Sequence, residues 1–171
     1  MSGAMTERSV EIVTYRPEFA EDFATLNREW LEKYFTVEPL DEEYLSDPEG
    51  HIMELGGEIF FAVEGECVIG TCAAIPRDDG TIELAKLAVT PAAQGRGLGR
   101  ALSMAVIEFA KARQPKNLYL VSSTKLGPAL RLYETLGFRH LPFPWPPPYT
   151  DADVYMELDI TQKPGGAGHN R

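Results

Sequence analysis

Cysteine, histidine and basic residues are scarce in this 171-residue chain, and each shortage removes a class of function. Cys67 and Cys72 are the only cysteines. They stand five apart in one apolar segment, and an odd separation in a strand sends side chains to opposite faces, so no bridge between them is expected. His51, His140 and His169 are scattered without metal-ligand spacing, so no metal site is expected. Lys and Arg number 16 against 26 Asp and Glu, a formal charge of −10. Nucleic-acid binding draws on clustered cations, so no nucleic-acid partner is expected. The acidic balance suits attraction of a cation or an amine, or serves solubility alone. No apolar run approaches the roughly 20 residues of a membrane span, and the N-terminus lacks the basic start and apolar stretch of a secretory signal. Free thiols without a targeting signal imply a reducing, cytoplasmic location with no membrane partner.

What remains is ordinary globular material: 44% apolar and 25% charged residues, enough for one domain. Residues 1–8 are small and polar and are expected to be flexible. Met5 is a candidate natural start, which would make Met1–Ala4 a cloning remnant. The Gly-rich tail 161–171 is likewise expected to be flexible, leaving a single domain over residues 9–160.

Between the ends the apolar period alternates between two and 3.6. A strand is predicted over Val10–Tyr15 and an amphipathic helix over Glu18–Tyr34, with Phe19, Phe23, Leu26, Trp30 and Tyr34 on one face. Asp41 is a candidate cap for a second helix running to about Leu55, interrupted near Pro48. Strands follow at Glu58–Val63, Cys67–Ile75 and Thr81–Val89, joined by turns. Then come a helix from about Gly95 to Arg113, a strand Asn117–Ser122, a helix Gly127–Leu136 and short strands at Phe138–Leu141 and Val154–Ile160. Consecutive strands imply antiparallel hairpins, and strand–helix–strand implies a parallel pair. The expected fold is α/β: a mixed, mostly antiparallel twisted sheet of about seven strands flanked by about four helices.

The most informative stretch is Leu87–Ala110, where a strand ends at Pro91 and three glycines open a helix. Gly95, Gly97 and Gly99 allow close backbone approach and positive φ. Unpaired N–H groups at the helix start, with Arg96 and Arg100 beside them, make an anion site. A tight helix entry with no ligand explains the glycines equally well. A dinucleotide fingerprint would sit after the first strand, and a P-loop would end in Gly-Lys-Ser/Thr; neither pattern is present.

Gln94–Gly99, QGRGLG, resembles the Q/R-x-x-G-x-G/A signature of the GNAT (Gcn5-related) N-acetyltransferases. Ala129–Phe138, ALRLYETLGF, is similar to that family's A-x-x-L-Y-x-x-x-G-F element, and the element order from Val10 to Ile160 matches as well. The resemblance implies acetyl-CoA as cosubstrate, with its pyrophosphate on Gln94, Gly95, Arg96, Gly97, Leu98, Gly99 and Arg100. It also implies that the main chain of Leu87, Ala88 and Val89 splays from the next strand and pairs with the pantetheine amides. The asparagine that many members carry is Leu126 here. Ser122, Ser123 or Thr124 can replace its contact, and Ser123 is taken as the candidate.

By the same resemblance Tyr133 is the acid that protonates the departing sulfur, although its helical spacing with Leu130 also suits a core tyrosine. Glu83 is the candidate base for the amine proton, or else a structural carboxylate paired with an Arg or Lys. Strand alternation places Glu83 with Ala85, Leu87 and Val89, and Lys86 on the opposite face. The resemblance places the acceptor pocket between Trp30–Glu43 and Pro142–Asp153, and the aromatic and acidic groups there suit a cationic amine or else hydrophobic packing with a solvated acidic rim. Trp30, Tyr34, Glu38 and Tyr149 are the candidate acceptor-binding residues, Trp145, Asp151 and Asp153 lie in the same region, and Arg16 or Arg77 is available for an acceptor carboxylate. The expected function is acetylation of a primary amine on a small or amino-acid-like molecule by a monomer or homodimer. The alternatives are a protein N-terminal or lysine acetyltransferase and a non-catalytic acyl-CoA-binding module.

Overall fold

The computed structural model describes residues 9–161. The expected flexibility of 1–8 and of the tail beyond Thr161, and the reading of Met1–Ala4, concern residues outside that range. Seven strands form one sheet in the order β1-β2-β3-β4-β5-β7-β6. They are β1 (Val10–Thr14), β2 (Glu58–Glu64), β3 (Cys67–Pro76), β4 (Ile82–Val89), β5 (Leu118–Ser122), β6 (Arg139–Leu141) and β7 (Val154–Leu158). All neighbours are antiparallel except β4 and β5, which run parallel. Five α-helices flank it: α1 (Ala20–Tyr34), α2 (Pro39–Ser46), α3 (Pro48–His51), α4 (Leu98–Arg113) and α5 (Gly127–Thr135).

Each face of the sheet buries its own core. On one side Phe23 of α1, Tyr44 and Leu45 of α2, and Ile52 close over Ile59, Phe61 and Ile75. On the other, Leu102, Val106 and Ala110 of α4 and Tyr133 of α5 cover Leu84, Leu118, Leu120 and Met156. Complete burial of such a side chain contributes about 1.5–3 kcal/mol. These clusters hold the strand ends between which the site opens.

Three local expectations are corrected. Asp41 is not the cap of the second helix: Glu38 is, and Asp41 occupies the third helical position of a capping box, its carboxylate accepting from the Glu38 N–H at 2.9 Å. Pro39 supplies the preset φ of the first turn, which moves the helix start upstream. The helix after the glycine turn begins at Leu98, because Gly95 and Gly97 hold φ of 83° and 81°, outside the helical region. Alternation along β4 also breaks. From Ala73↔Ala85 to Thr71↔Ala88, β3 advances two residues while β4 advances three. That extra residue is a bulge, with Lys86 at φ 60°. Beyond it Leu87 and Val89 pack toward the α4 core, whereas Ala85 packs toward α1. Lys86 therefore points to the side that Glu83 occupies.

Candidate active site

Parallel pairing of β4 with β5 covers only Ile82↔Leu118 and Glu83↔Tyr119. Past Glu83 the two strands diverge, and the main chain of β4 over the bulge has no strand partner on that side. A cavity of ≈ 490 Å³ opens in the gap. It runs from the glycine turn, past Leu87, Val89, Ser123 and Tyr133, to a polar floor at Arg77, Glu83 and Lys86.

The turn is built for close approach. A Cβ placed on Gly95 or Gly97 would meet no protein atom within 4 Å, so the space over both residues is open. The Gln94 side chain donates to the Val89 carbonyl at 3.0 Å and ties the turn to the end of β4. Arg96 pairs with Glu64 at 2.6 Å, and Arg100 reaches Thr135 Oγ1 at 3.5 Å. Gln94, Gly95, Gly97, Leu98 and Gly99 line the cavity; Arg96, Arg100 and Ala88 do not, and Ala88 is buried. Ser122 and Ser123 line it too, whereas Thr124 is turned away: its N–H and hydroxyl donate to Asp153 at 2.8 and 2.7 Å. Ser123 is 4% exposed, and its hydroxyl accepts from the Lys125 N–H at 3.2 Å.

Tyr133 sits on α5 with its ring 5.9 Å from Phe138, and it is 7% exposed. It serves the core and lines the cavity at once, and its hydroxyl makes no hydrogen bond to a described residue. Burial, with a smaller contribution from Cys72, pushes its pKa well above the ordinary tyrosine value. The phenol thus stays protonated at neutral pH.

Glu83 is also nearly buried, at 7% exposure. Its Oε1 accepts from Arg77 Nη2 and from the Tyr119 hydroxyl, leaving Oε2 without a protein donor among the described residues. Arg77 is in turn fixed by Tyr119 through Nε at 3.2 Å and by Tyr44 through Nη1 at 2.7 Å. The paired carboxylate weighed in the sequence is thus present, with one oxygen left over. Lys86 Nζ, which alternation had sent to the other face, donates to Asp41 at 2.7 Å and to the Tyr149 hydroxyl at 3.2 Å.

Trp30, Tyr34, Glu38 and Tyr149 all line the cavity, with Asp41 and Asp151. Glu38 accepts from the Thr150 N–H at 3.1 Å, strapping the loop before β7 to the start of α2. Trp145 does not join them. It packs against Tyr119, Phe143 and Tyr155 at 5.5–5.9 Å, because the Pro-rich loop folds back over β5 and β7. Asp153 is spent on Thr124, and Arg16 lies outside beside Glu18. Of the two arginines considered for an acceptor, only Arg77 reaches the cavity. Lys86 and Tyr44 are the site residues that sequence reasoning missed. Tyr44 is an apolar position in a short acidic helix with nothing local to mark it as a site residue, and no local signal marks a bulge at a lysine.

Burial raises the pKa of Tyr15 to about 12 and pushes Tyr119, Tyr133, Tyr149, Tyr155 and the Cys72 thiol higher still. The folded state holds these protons more tightly than the unfolded chain does. Their contribution is therefore complete below the unfolded value near 10 for tyrosine and is lost progressively as pH rises from there through the raised folded values. Thermal melts should hold a flat midpoint through pH 7–8.5 and fall steeply above about pH 10. A midpoint that stays flat to pH 11 would contradict this burial pattern.

Residues 21–138 match the family model described as Acetyltransferase (GNAT) family. The N-acetylaspartate synthetase of Homo sapiens is 34% identical over 99 residues, which are 57% of this chain and 33% of that protein. The N-acetyltransferase YjgM of Escherichia coli is 31% identical over 115 residues, 64% of this chain and 65% of that one. The chain spans about a third of the length of the N-acetylaspartate synthetases it matches. Among solved structures, an acetyltransferase of the GNAT family from Staphylococcus aureus Mu50 superposes with a TM-score of 0.80 at 19% identity, covering 89% of this chain and 99% of its own. YncA of Salmonella typhimurium, solved with its cofactor acetyl-CoA, superposes with a TM-score of 0.71 at 20% identity over 91% and 96% of the two chains. With the family model matched from α1 to the residue before β6, this chain belongs to the GNAT family of acetyltransferases.

Proposed function

We propose that the protein is an acetyl-CoA-dependent N-acetyltransferase that acetylates the primary amine of a small, amino-acid-like molecule by direct attack in a ternary complex. The observation that carries this reading is the continuity of one cavity from the glycine turn, through the gap between β4 and β5, to the polar floor. The fit at the turn is favourable, since the space over Gly95 and Gly97 is empty of protein and α4 begins beside it with unpaired N–H groups. Two structurally similar proteins, YncA of Salmonella typhimurium and the PaiA N-acetyltransferase of Thermoplasma acidophilum, were solved with acetyl-CoA and coenzyme A respectively.

When bound, acetyl-CoA supplies an acetyl group activated as a thioester. The chain does the rest. The turn at Gln94–Gly99 holds the diphosphate, and the open edge of β4 over Leu87–Val89, with Ser123 opposite, aligns the pantetheine arm. Holding both reactants in contact can remove about 7–11 kcal/mol from the barrier. Glu83, fixed through Oε1, takes the amine proton at Oε2, directly or through water. The amine nitrogen bonds to the carbonyl carbon as the carbon–sulfur bond breaks, and Tyr133 gives its proton to the sulfur. An amide and a free thiol result: of the two protons that a cationic primary amine gives up, one leaves to solvent before attack, and the other, taken by Glu83, returns through water to Tyr133.

The acceptor end is roofed by the Glu38 to Thr150 strap and flanked by Trp30, Tyr34 and Tyr149, which favours a compact acceptor over a protein chain. Incubation with acetyl-CoA and a panel of free amino acids, simple amines and peptides, read by thiol release, tests this. Small acceptors are expected to react. Release with peptides alone would reassign the acceptor, and saturable acetyl-CoA binding with no release across a wide panel would make the protein a binding module.

A further inference from the structure

At the cavity floor several donors have no acceptor among the described residues. Lys86 Nζ has three protons, and the described residues take two: Asp41 at 2.7 Å and the Tyr149 hydroxyl at 3.2 Å. The Tyr149 hydroxyl accepts that bond, so its own proton is unspent. The same holds for Tyr44, whose hydroxyl accepts from Arg77 at 2.7 Å and donates to no described residue. These groups are close together, because Nζ lies 5.4 Å from the Tyr44 ring centre and 5.1 Å from that of Tyr149. All three residues line the cavity, and the Lys86 side chain is only 9% exposed. Donors that the protein leaves unspent beside a cavity are open to solvent or to a ligand, and three of them around one space match the acceptor capacity of a single carboxylate. The ion pairs Arg77 with Glu83, Lys86 with Asp41 and Lys125 with Asp151 cancel, and Glu38 leaves the lining one negative charge in excess. Net charge therefore does not choose the ligand; the surplus of donors does. The backbone supports the same conclusion. Lys86 holds a φ of 60°, an unfavourable conformation for lysine, and the bulge is what turns it into the cavity.

We propose that Lys86, with the hydroxyls of Tyr149 and Tyr44, forms a carboxylate-binding site, so that the preferred acceptor is an amine bearing a carboxylate near its amino group. This rests on the N-acetyltransferase reading and names its substrate class. Asp41 holds the ammonium in place, and the carboxylate takes the third Nζ proton and the two phenol protons. The acceptor's amine is then directed back along β4 toward Glu83 and the thioester.

The test compares L-alanine and L-aspartate with their α-amides, by steady-state KM in the acetyl-CoA reaction and by calorimetry on the coenzyme A-loaded and free protein. The wild type should favour each acid over its amide by about 10- to 100-fold in KM or Kd, the range of one or two charge-assisted hydrogen bonds. Lys86→Met should reduce that ratio to near one, with the Kd for acetyl-CoA unchanged. Tyr149→Phe keeps the ring over Lys86 and removes only the hydroxyl, so it should lower the ratio several-fold even if Lys86→Met fails to fold. Equal affinity for acid and amide in the wild type, or a ratio that survives Tyr149→Phe and any folded Lys86→Met, overturns the site. Failure of acetyl-CoA to bind would defeat the enzymatic reading, whereas the acid-over-amide comparison on the free protein judges the carboxylate site by itself.

Discussion

Replacing Tyr133 by Phe is expected to lower kcat by about 100-fold or more while leaving the Kd for acetyl-CoA within about twofold, the loss typical of one general acid. The structure makes this a clean substitution. The ring is packed against Phe138 in the α4-side core, and Phe keeps that packing. The hydroxyl bonds no described residue, so its removal strands no partner, and the melting temperature should hardly move. Burial holds the phenol protonated far above neutral pH, the state an acid must be in before it acts. Pre-steady-state thiol release separates chemistry from product release, and an unchanged rate for the chemical step would remove the acid role.

The second large effect is at the glycine turn. Gly97→Val should raise the Kd for acetyl-CoA by at least about tenfold, because a β-branched residue is strained by about 1–3 kcal/mol in the left-handed region and also fills the space above the turn. Gly97 holds φ of 81°, and no protein atom lies within 4 Å of an added Cβ. The side chain would therefore collide with a ligand rather than with the fold, and circular dichroism should show the domain intact. Calorimetry that finds affinity unimpaired in folded protein would place the diphosphate elsewhere.

Much of this was legible in the sequence because the signals are local. The glycine turn and the α5 element each lie within about ten residues, so their backbone needs are written in adjacent side chains. The stripe of Leu98, Leu102, Val106 and Ala110 declares α4 in the same way. That Trp30, Tyr34, Glu38 and Tyr149 line one cavity was also within reach of the sequence, through the family resemblance and the aromatic and acidic residues of the two segments.

The rest depended on distant partners. Trp145 and Tyr149 occupy one Pro-rich loop, yet Trp145 covers Tyr119 and Tyr155 while Tyr149 meets Lys86. Composition does not distinguish them; the path of the loop over β5 and β7 does. Ser123 and Thr124 were equivalent until Asp153, 29 residues on, claimed Thr124.

By itself the sequence determined the element order, the family's two motifs, the glycine turn and the tyrosine on α5, since each follows from bonded neighbours and helical or strand period. Only the tertiary structure decided where Lys86 points and which oxygen of Glu83 stays free. A bulge arises from register between β3 and β4, and an ion pair from residues that meet across the sheet; neither is encoded in any short window of chain.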